Sequence, residues 1–413
     1  MKVEVLSTGS EILRGRNVDT HLGWIARQLE RKGLTVRHYQ AVDDHLGRLV
    51  DALKLAATRA DAIVLTGGLG PTEDDFTRAA VEEAFHRPLE FRRELWTAIR
   101  ERFRKARLRM AAINRRQAFV PRGATVLPNP NGTAPGFLLR EGGVLVAALP
   151  GPPAEMYPMF LRHVYPKLRG TAAAFGELKV YGIPEATVDE IVLAATGDPN
   201  RYGLTVRWGQ VSISLRSEGT RAGDTLARWI ARLRRALGDN LYDGDLHEHV
   251  GRRLIETGTT LALAESCTGG LIAHRLTDVA GISASLLEGV VSYANASKVR
   301  RLGVPEALLR EHGAVSEPVA RAMALGAARE AGADLGLAVT GIAGPSGGSD
   351  DKPVGLCYMA CGGWVERRVF RGDRGAVKER AAGFALNMLR LRLLRGEGYA
   401  GETMGLRERG PGR

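Results

Sequence analysis

The chain has 413 residues, 44% of them hydrophobic and 25% charged, with a formal net charge of +12 at pH 7. That length exceeds one ordinary core, at roughly 100 to 200 residues per domain, and no run approaches the ~18 uninterrupted apolar residues of a membrane span. Cys267, Cys357 and Cys361 form no CxxC pair, which excludes a disulfide framework and a zinc knuckle.

The positive charge would suit nucleic acid, yet only nine of the 58 basic residues are lysine, and the arginines are spread along the whole chain. They are densest in IRERFRKARLRMAAINRRQ (99–117), where Leu, Met, Ile and Phe recur at helical spacing and mark a solvated helix face. A phosphate-facing role for Arg115 and Arg116 is the lesser reading. Neither a nucleic-acid nor a membrane partner is expected. Met1 leads directly into an alternating segment without a basic n-region or a long apolar h-region, so a cytoplasmic protein is expected.

Residues 1–66 alternate strand and helix signals: KVEVLST, the amphipathic DTHLGWIARQLERKG closed by Gly33, LTVRHYQAV, the helical HLGRLVDALKLAATRA, and DAIVLTGG. This βαβαβ cadence predicts an α/β fold with a parallel sheet, helices on its faces and ligands at the carboxyl ends of its strands. Those ends carry Thr8, Gly9, Ser10 and Glu11 in STGSEILRG, Asp43 and Asp44 in AVDDH, and Gly67, Gly68, Glu73, Asp74 and Asp75 in TGGLGPTEDD, ahead of a helix starting near Phe76. Glycines let backbone N–H groups approach a phosphate. Acids beside a phosphate would repel it unless a divalent cation such as Mg²⁺ bridges them. The same acids serve as helix caps or N-terminal complements, and the residues alone leave both roles open.

Between about 120 and 153 dense Pro and Gly punctuate short strands, including a hairpin closed by Glu141-Gly142-Gly143. From about 176 to 240, ELKVYGI, VDEIVLAAT, LTVRWGQVSISLRSE and DTLARWIARLRRALG outline a small α+β module, read as a spacer because no GxxG follows a helix as in an RNA-clamping loop. A third unit runs to about residue 395 with strands TTLALAES, LLEGVVSY, DLGLAVTG, VGLCYMAC and WVERRVF; a period of two puts Cys357 and Cys361 on one strand face as buried thiols. The final segment GEGYAGETMGLRERGPGR carries little that can pack and reads as a disordered tail.

The third unit holds the second chemical constellation. LALAESCTGG places Ser266, Cys267 and Thr268 on a strand-to-helix turn, with following N–H groups at Gly269 and Gly270 directed where an oxyanion forms. Ordinary Ser/Thr capping produces the same pattern. In VVSYANASKVRRLGV a strand ends at Ser292-Tyr293 and Lys298 follows; a desolvated lysine acts as base to a serine, with a tyrosine hydroxyl relaying or orienting the proton. LAVTGIAGPSGG is a strand entering a glycine-rich turn, and Arg374 at a helix start suits a phosphate, or is simply a surface arginine.

TGSEIL, TGGLGPTEDD, NPNGTAPGF and LPGPPAEM resemble the amino-terminal half of the CinA (competence/damage-inducible protein) family, itself similar to molybdopterin-binding domains of MoaB/MogA type. AESCTGG, VVSYANASK, VTGIAGPSGG and FRGDR resemble that family's carboxy-terminal, PncC-type deamidase domain. The resemblance implies a molybdopterin-binding-like domain at 1–170, a KH-type middle domain at 171–245, a deamidase domain at 246–398 and a tail at 399–413. It implies two activities: metal-dependent hydrolysis of ADP-ribose by the first domain, and deamidation of nicotinamide mononucleotide to nicotinate mononucleotide and ammonia, without a cofactor, by the third. A homodimer is implied as well.

Carried onto this sequence by motif, Ser266 is the nucleophile, Lys298 its base and Tyr293 an assistant. Backbone groups at Thr268 and Gly269 hold the oxyanion, while Thr340, Gly341 and Arg374 orient the nucleotide. Cys267 is a bystander, a preference that rests on the likeness, since a thiol is the stronger nucleophile. In the first domain Thr8, Gly9, Gly67 and Gly68 meet phosphate, and Asp44, Asp74 and Asp75 hold the metal, Mg²⁺ by expectation. The loop SGGSDDKPVG is longer and more acidic than the family pattern. The competing reading is a pterin- or DNA-binding competence protein without catalysis.

Overall fold

Ala62–Thr66 reads AIVLT and is buried at every position, as a parallel strand covered on both faces requires. The strands of the amino-terminal region are β1 (Val3–Thr8), β2 (Val36–Val42), β3 (Ala62–Thr66), a short ribbon of β4 (Leu89–Phe91) and β5 (Phe119–Pro121), then β6 (Thr125–Leu127), β7 (Gly136–Glu141) and β8 (Val144–Leu149). All but the ribbon form one six-stranded sheet in the order β2-β1-β3-β8-β7-β6. Its first four strands are parallel, β7 returns antiparallel to β8 through the hairpin at Glu141-Gly142-Gly143, and β6 is antiparallel to β7. Because β2 and β3 lie on opposite sides of β1, the connections diverge there and open a crevice at the carboxyl ends.

The computed structural model describes residues 1–396, so the tail expected at 399–413 lies outside the described residues. The chain divides into two compact units, Met1–Phe175 with Ser217–Gly223, and Gly176–Arg216 with the chain from Asp224 onward. Among the described residues no helix is long and apolar enough to cross a membrane.

In the first unit Leu6, Ile63 and Leu65 pack on Leu49 and Leu53 of the helix Leu46–Arg59, and Val3, Val5 and Val64 pack on Ile25 and Leu29 of the helix His21–Glu30. Glu4 shares the first face and is fully buried, bonded by Arg59 at 2.6 and 2.9 Å and by Gln40 at 2.7 Å. Burial opposes its ionisation, but those hydrogen bonds hold the carboxyl below its usual range. The arginine-rich stretch is α-helical only to Lys105, Arg107 beyond it takes a left-handed φ of 55°, and Arg115 and Arg116 lie in the 3₁₀ helix Ala112–Ala118. Arg115 stacks on Phe91 at 4.9 Å and Arg116 pairs with Glu73 at 2.7 Å, so both brace the fold.

A four-stranded sheet, most of whose residues belong to the second unit, holds β9 (Ala173–Tyr181), β10 (Tyr202–Arg207), β11 (Gln210–Glu218) and β12 (Leu241–Tyr242), ordered β10-β11-β9-β12. The larger sheet of that unit holds β13 (Leu261–Glu265), β14 (Leu286–Val291), β15 (Leu335–Gly341), β16 (Leu356–Cys361) and β17 (Trp364–Val369), ordered β14-β13-β15-β16-β17. Strands β14, β13 and β15 are parallel, whereas β16 and β17 return antiparallel. One face packs on the helices Leu246–Thr257 and Arg374–Arg395, the other on Glu317–Ala331. Cys357 and Cys361 alternate onto the first of these faces and are fully buried, as the strand period predicts.

Candidate functional site

In the second unit the end of β13 is tied to both neighbours: Ser266 N donates to Val339 O at 2.9 Å, and Ser292 N donates to Glu265 O at 2.8 Å. The chain then turns through Gly269 and Gly270, whose φ values of 65° and 91° favour glycine. The carboxylate of Glu265, buried beneath this turn, accepts from Gly270 N, Ile272 N and Ala273 N at 3.1, 3.1 and 2.9 Å. Glu265 therefore caps the helix Leu271–Thr277, and the Ser and Thr of the turn are released from that duty.

Ser266 faces Lys298 on the helix Asn295–Leu302, with Oγ and Nζ 3.2 Å apart. The same nitrogen donates to Ser292 O at 2.6 Å and, more weakly, to Tyr293 O at 3.5 Å. A neutral amine has two N–H bonds and one lone pair; with both N–H bonds directed at carbonyls, the lone pair is left for the serine hydroxyl. Lys298 is 1% exposed. Burial lowers its pKa from the ordinary lysine value, with the charge of the Cys267 thiol acting in the opposite sense.

Three assigned roles change with the geometry. The Tyr293 side chain is exposed, and its hydroxyl accepts from Arg374 Nη2 at 2.7 Å instead of meeting Ser266 or Lys298; it is the Tyr293 carbonyl that contacts the lysine. Gly269 N donates to Ser266 O at 3.1 Å and Gly270 N to Glu265, so neither N–H is aimed at a ligand. Thr268 is the member of the turn left with unmatched donors: it is fully buried, its hydroxyl has no partner, and its N–H meets no acceptor among the described residues. A buried orphan N–H is rare in folded proteins. Thr340 points its hydroxyl to Ala314 O at 2.9 Å, which pins the loop. Gly341 is required by space: a Cβ there would lie 2.5 Å from Cys357 Sγ and 3.1 Å from Cys267 Sγ.

Arg374 is held by Gly344 O at 2.7 Å as well as by Tyr293. One turn further along the same helix stands Lys378, which the sequence reading missed; its nitrogen lies 3.6 Å from where a Cβ on Gly269 would be, and it makes no ion pair among the described residues. The signal was its i,i+4 spacing from Arg374, which places both cations on one helix face. Cys267 packs in the core beside Cys357 and Val339. Its hydrogen bond to Cys357, together with burial, pushes the Cys357 thiol far up.

The first unit presents a cavity of about 380 Å³ at the crevice, lined by Thr8, Gly9, Asp44, Gly67, Gly68, Asp74 and Asp75 among others. The ends of β1 and β3 close on each other so tightly that a Cβ at Gly67, where φ is 97°, would sit 2.6 Å from Thr8 O. Asp44 accepts from Ser10 N at 2.8 Å and Thr8 Oγ1 at 3.3 Å, and the helix after it is capped by His45 instead. Asp75 is a loop brace: its carboxylate accepts from Gly70 N at 2.9 Å, Thr72 N at 2.7 Å and the Thr72 hydroxyl. Asp74 carries no such bond. Among the described residues no three His, Cys, Asp or Glu side chains converge as a ready-made cage. Mg²⁺ commonly takes one or two carboxylates and completes its shell from substrate phosphates and water, and Asp74 and Asp44 are carboxylates on the wall of this cavity.

Two residues that line this cavity escaped the sequence reading. Glu155 accepts from Asn129 Nδ2 at 2.6 Å, and Gln117 is 1% exposed with its Oε1 unpartnered. Both lie far along the chain from the glycine loops: Glu155 ends the PGPPAE turn, whose motif assigns the acid no role, and Gln117 closes the arginine-rich stretch, where nothing local marks it.

Residues 4–170 match the model of the "Probable molybdopterin binding domain" family, and residues 243–393 match the "CinA C-terminal domain". A "CinA-like protein" of Anaeromyxobacter dehalogenans (strain 2CP-C) is 43% identical, covering 95% of this chain and 100% of the relative. A "Putative competence-damage inducible protein" of Symbiobacterium thermophilum is 43% identical over 95% of this chain and 99% of its own length. The solved structure of the competence/damage inducible protein CihA from Agrobacterium tumefaciens is 40% identical, covering 37% of this chain and 98% of that one with a TM-score of 0.34. With full-length relatives of this similarity and both domain models matched in order, the chain belongs to the CinA family.

Proposed function

We propose that the carboxy-terminal domain is an amidohydrolase that converts nicotinamide mononucleotide to nicotinate mononucleotide and ammonia. The observation that carries the reading is the buried Lys298 amine, 3.2 Å from Ser266 Oγ with its other contacts directed to carbonyls. Ser266 passes its proton to Lys298 as the Oγ–C bond to the carboxamide carbon forms. Thr268 N–H stabilises the resulting oxyanion. As the tetrahedral intermediate collapses, the C–N bond breaks and Lys298 returns the proton to the departing nitrogen, which leaves as ammonia. Water, deprotonated by the same amine, then attacks the acyl-serine, the Oγ–C bond breaks, and Ser266 recovers its proton. Arg374 and Lys378 receive the phosphate, and Tyr293 orients Arg374.

The amino-terminal domain is read as a hydrolase that splits ADP-ribose to AMP and ribose 5-phosphate. Gly68 N–H and the Thr8 hydroxyl are offered to the diphosphate, whereas Gly9 N–H and Gly67 N–H are spent on Val42 O and Leu149 O, so those two glycines serve the close approach of the backbone; Asp74 with Asp44 would hold Mg²⁺, which neutralises phosphate charge when bound. The same reading makes the chain a cytoplasmic homodimer with a KH-type module at β9–β12. Incubating the purified chain separately with nicotinamide mononucleotide and with ADP-ribose plus Mg²⁺, followed by product identification, tests it; ammonia must appear only in the first mixture and AMP only in the second. Absence of either product sinks the corresponding half.

A further inference from the structure

A cavity of about 260 Å³ lies in the second unit between the β10–β11 hairpin and the helix Arg374–Arg395, and neither Ser266 nor Lys298 lines it. That volume is close to the roughly 300 Å³ at which small-molecule sites begin. Its acids are already matched: Glu379 pairs with Arg275, and Asp245 with Lys179 at 2.5 Å. Its donors are not. Tyr181 is 5% exposed and its hydroxyl has no hydrogen-bond partner among the described residues; that oxygen lies 3.5 and 3.6 Å from the Cβ positions that Gly209 and Gly383 leave empty. Tyr242 donates to Gln210 Oε1 at 2.6 Å, which fixes the amide and leaves its NH₂ without an acceptor. Among the described residues Arg207 pairs with no carboxylate, and its guanidinium lies over the Trp208 ring, 5.8 Å from the centroid.

Trp208 itself occupies the hairpin turn with φ of 55°, a conformation that Asn or Gly adopts without strain and a bulky side chain does not. The indole thus forms a wall of the cavity at a conformational cost. Tyr181, which lines the cavity, offers its hydroxyl there as a donor to a ligand. The cavity presents an indole, two neutral donors and a guanidinium lying over that indole, and the matching ligand is a flat heterocycle bearing acceptors and a negative charge.

We propose that this cavity binds a nucleotide, with its base stacked on Trp208 and accepting from Tyr181 and Gln210, and its phosphate against Arg207. The probe is 8-azidoadenosine 5′-monophosphate, photolysed on the full chain, with the labelled peptide identified by mass spectrometry. Label is expected in the segment containing Trp208, with protection by excess AMP. Tyr181→Phe should weaken that protection about fivefold through loss of one hydrogen bond. Trp208→Asn should weaken it about tenfold or more by removing the stacking surface, while raising the thermal midpoint, because Asn suits the turn; the raised midpoint shows that the loss is not misfolding. Label found only in the first unit or around Ser266 overturns the proposal, as does labelling of the Trp208 segment that both variants retain at full strength.

Discussion

Lys298 Nζ stands 3.2 Å from Ser266 Oγ at a position only 1% exposed, and among the described residues no carboxylate is bonded to it. A lysine so placed is poor at carrying charge and well suited to receive a proton. The first prediction follows from that pairing. Ser266→Ala should bring ammonia release to background, and Lys298→Met should lower kcat by about 10² to 10⁴-fold, the range for a lost proton-transfer group. ADP-ribose turnover should be unchanged in both, measured on the same preparations; a parallel loss would contradict two independent sites.

The depressed pKa of Lys298 sets a pH dependence. Only the neutral amine is a base, so kcat/KM for the amide should rise with pH through an inflection below the ordinary lysine value. Stability carries the same sign. Between the lowered folded value and the unfolded lysine value the unfolded chain binds the extra proton, so the folded state gains stability as pH rises through that window. Below it, the penalty of a buried ammonium is fully present. Lys298→Met should therefore be more stable than the parent near neutral pH, by an excess that shrinks as pH approaches the unfolded lysine value, as chemical denaturation at several pH values would reveal.

Cys267 sits in the core beside Cys357, under Gly341. Cys267→Ala should keep kcat within about threefold while lowering stability by about 1 kcal/mol, as for a small buried truncation. Loss of turnover comparable to that of Ser266→Ala would transfer the nucleophile to the thiol.

Lys378 presents an unpaired ammonium to the Gly269 turn. Lys378→Ala should raise KM for nicotinamide mononucleotide by about tenfold, in line with the about 1.5 kcal/mol of a charge-assisted hydrogen bond, and leave kcat nearly unchanged. The uncharged riboside should be affected little. An equal effect on nucleotide and riboside would remove the phosphate from this position.

The neighbours Asp74 and Asp75 should separate by phenotype. Asp75→Ala removes the acceptor for Gly70, Thr72 and the Thr72 hydroxyl and should lower stability by about 1 to 3 kcal/mol through unpaired loop donors. Asp74→Ala should leave the melting temperature in place and raise the Mg²⁺ concentration needed for ADP-ribose hydrolysis. Identical behaviour of the two would contradict their different bonding.

Strand and helix positions around both sites were legible because they rest on local periodicity: AIVLT could only be a covered strand, and the glycine-bearing loops had to follow strand ends. Ser266 was legible as a nucleophile at such an end, and Lys298 as a lysine a few residues past another. The role of Glu265 was not, since it reads as one more strand residue until the helix N-terminus is placed above it. The Tyr293–Arg374 bond, the engagement of Gly269 N–H within the turn and the bracing by Asp75 were equally hidden.

By itself the sequence determined the α/β cadence and the short list of residues at the strand ends, because these follow from neighbours along the chain. Which of them meet was decided only by the tertiary structure. Hydrogen-bond partners and burial depend on residues brought together across the fold, as when Lys298 is buried against Ser266, and no local pattern encodes the loss of water that makes its amine a base.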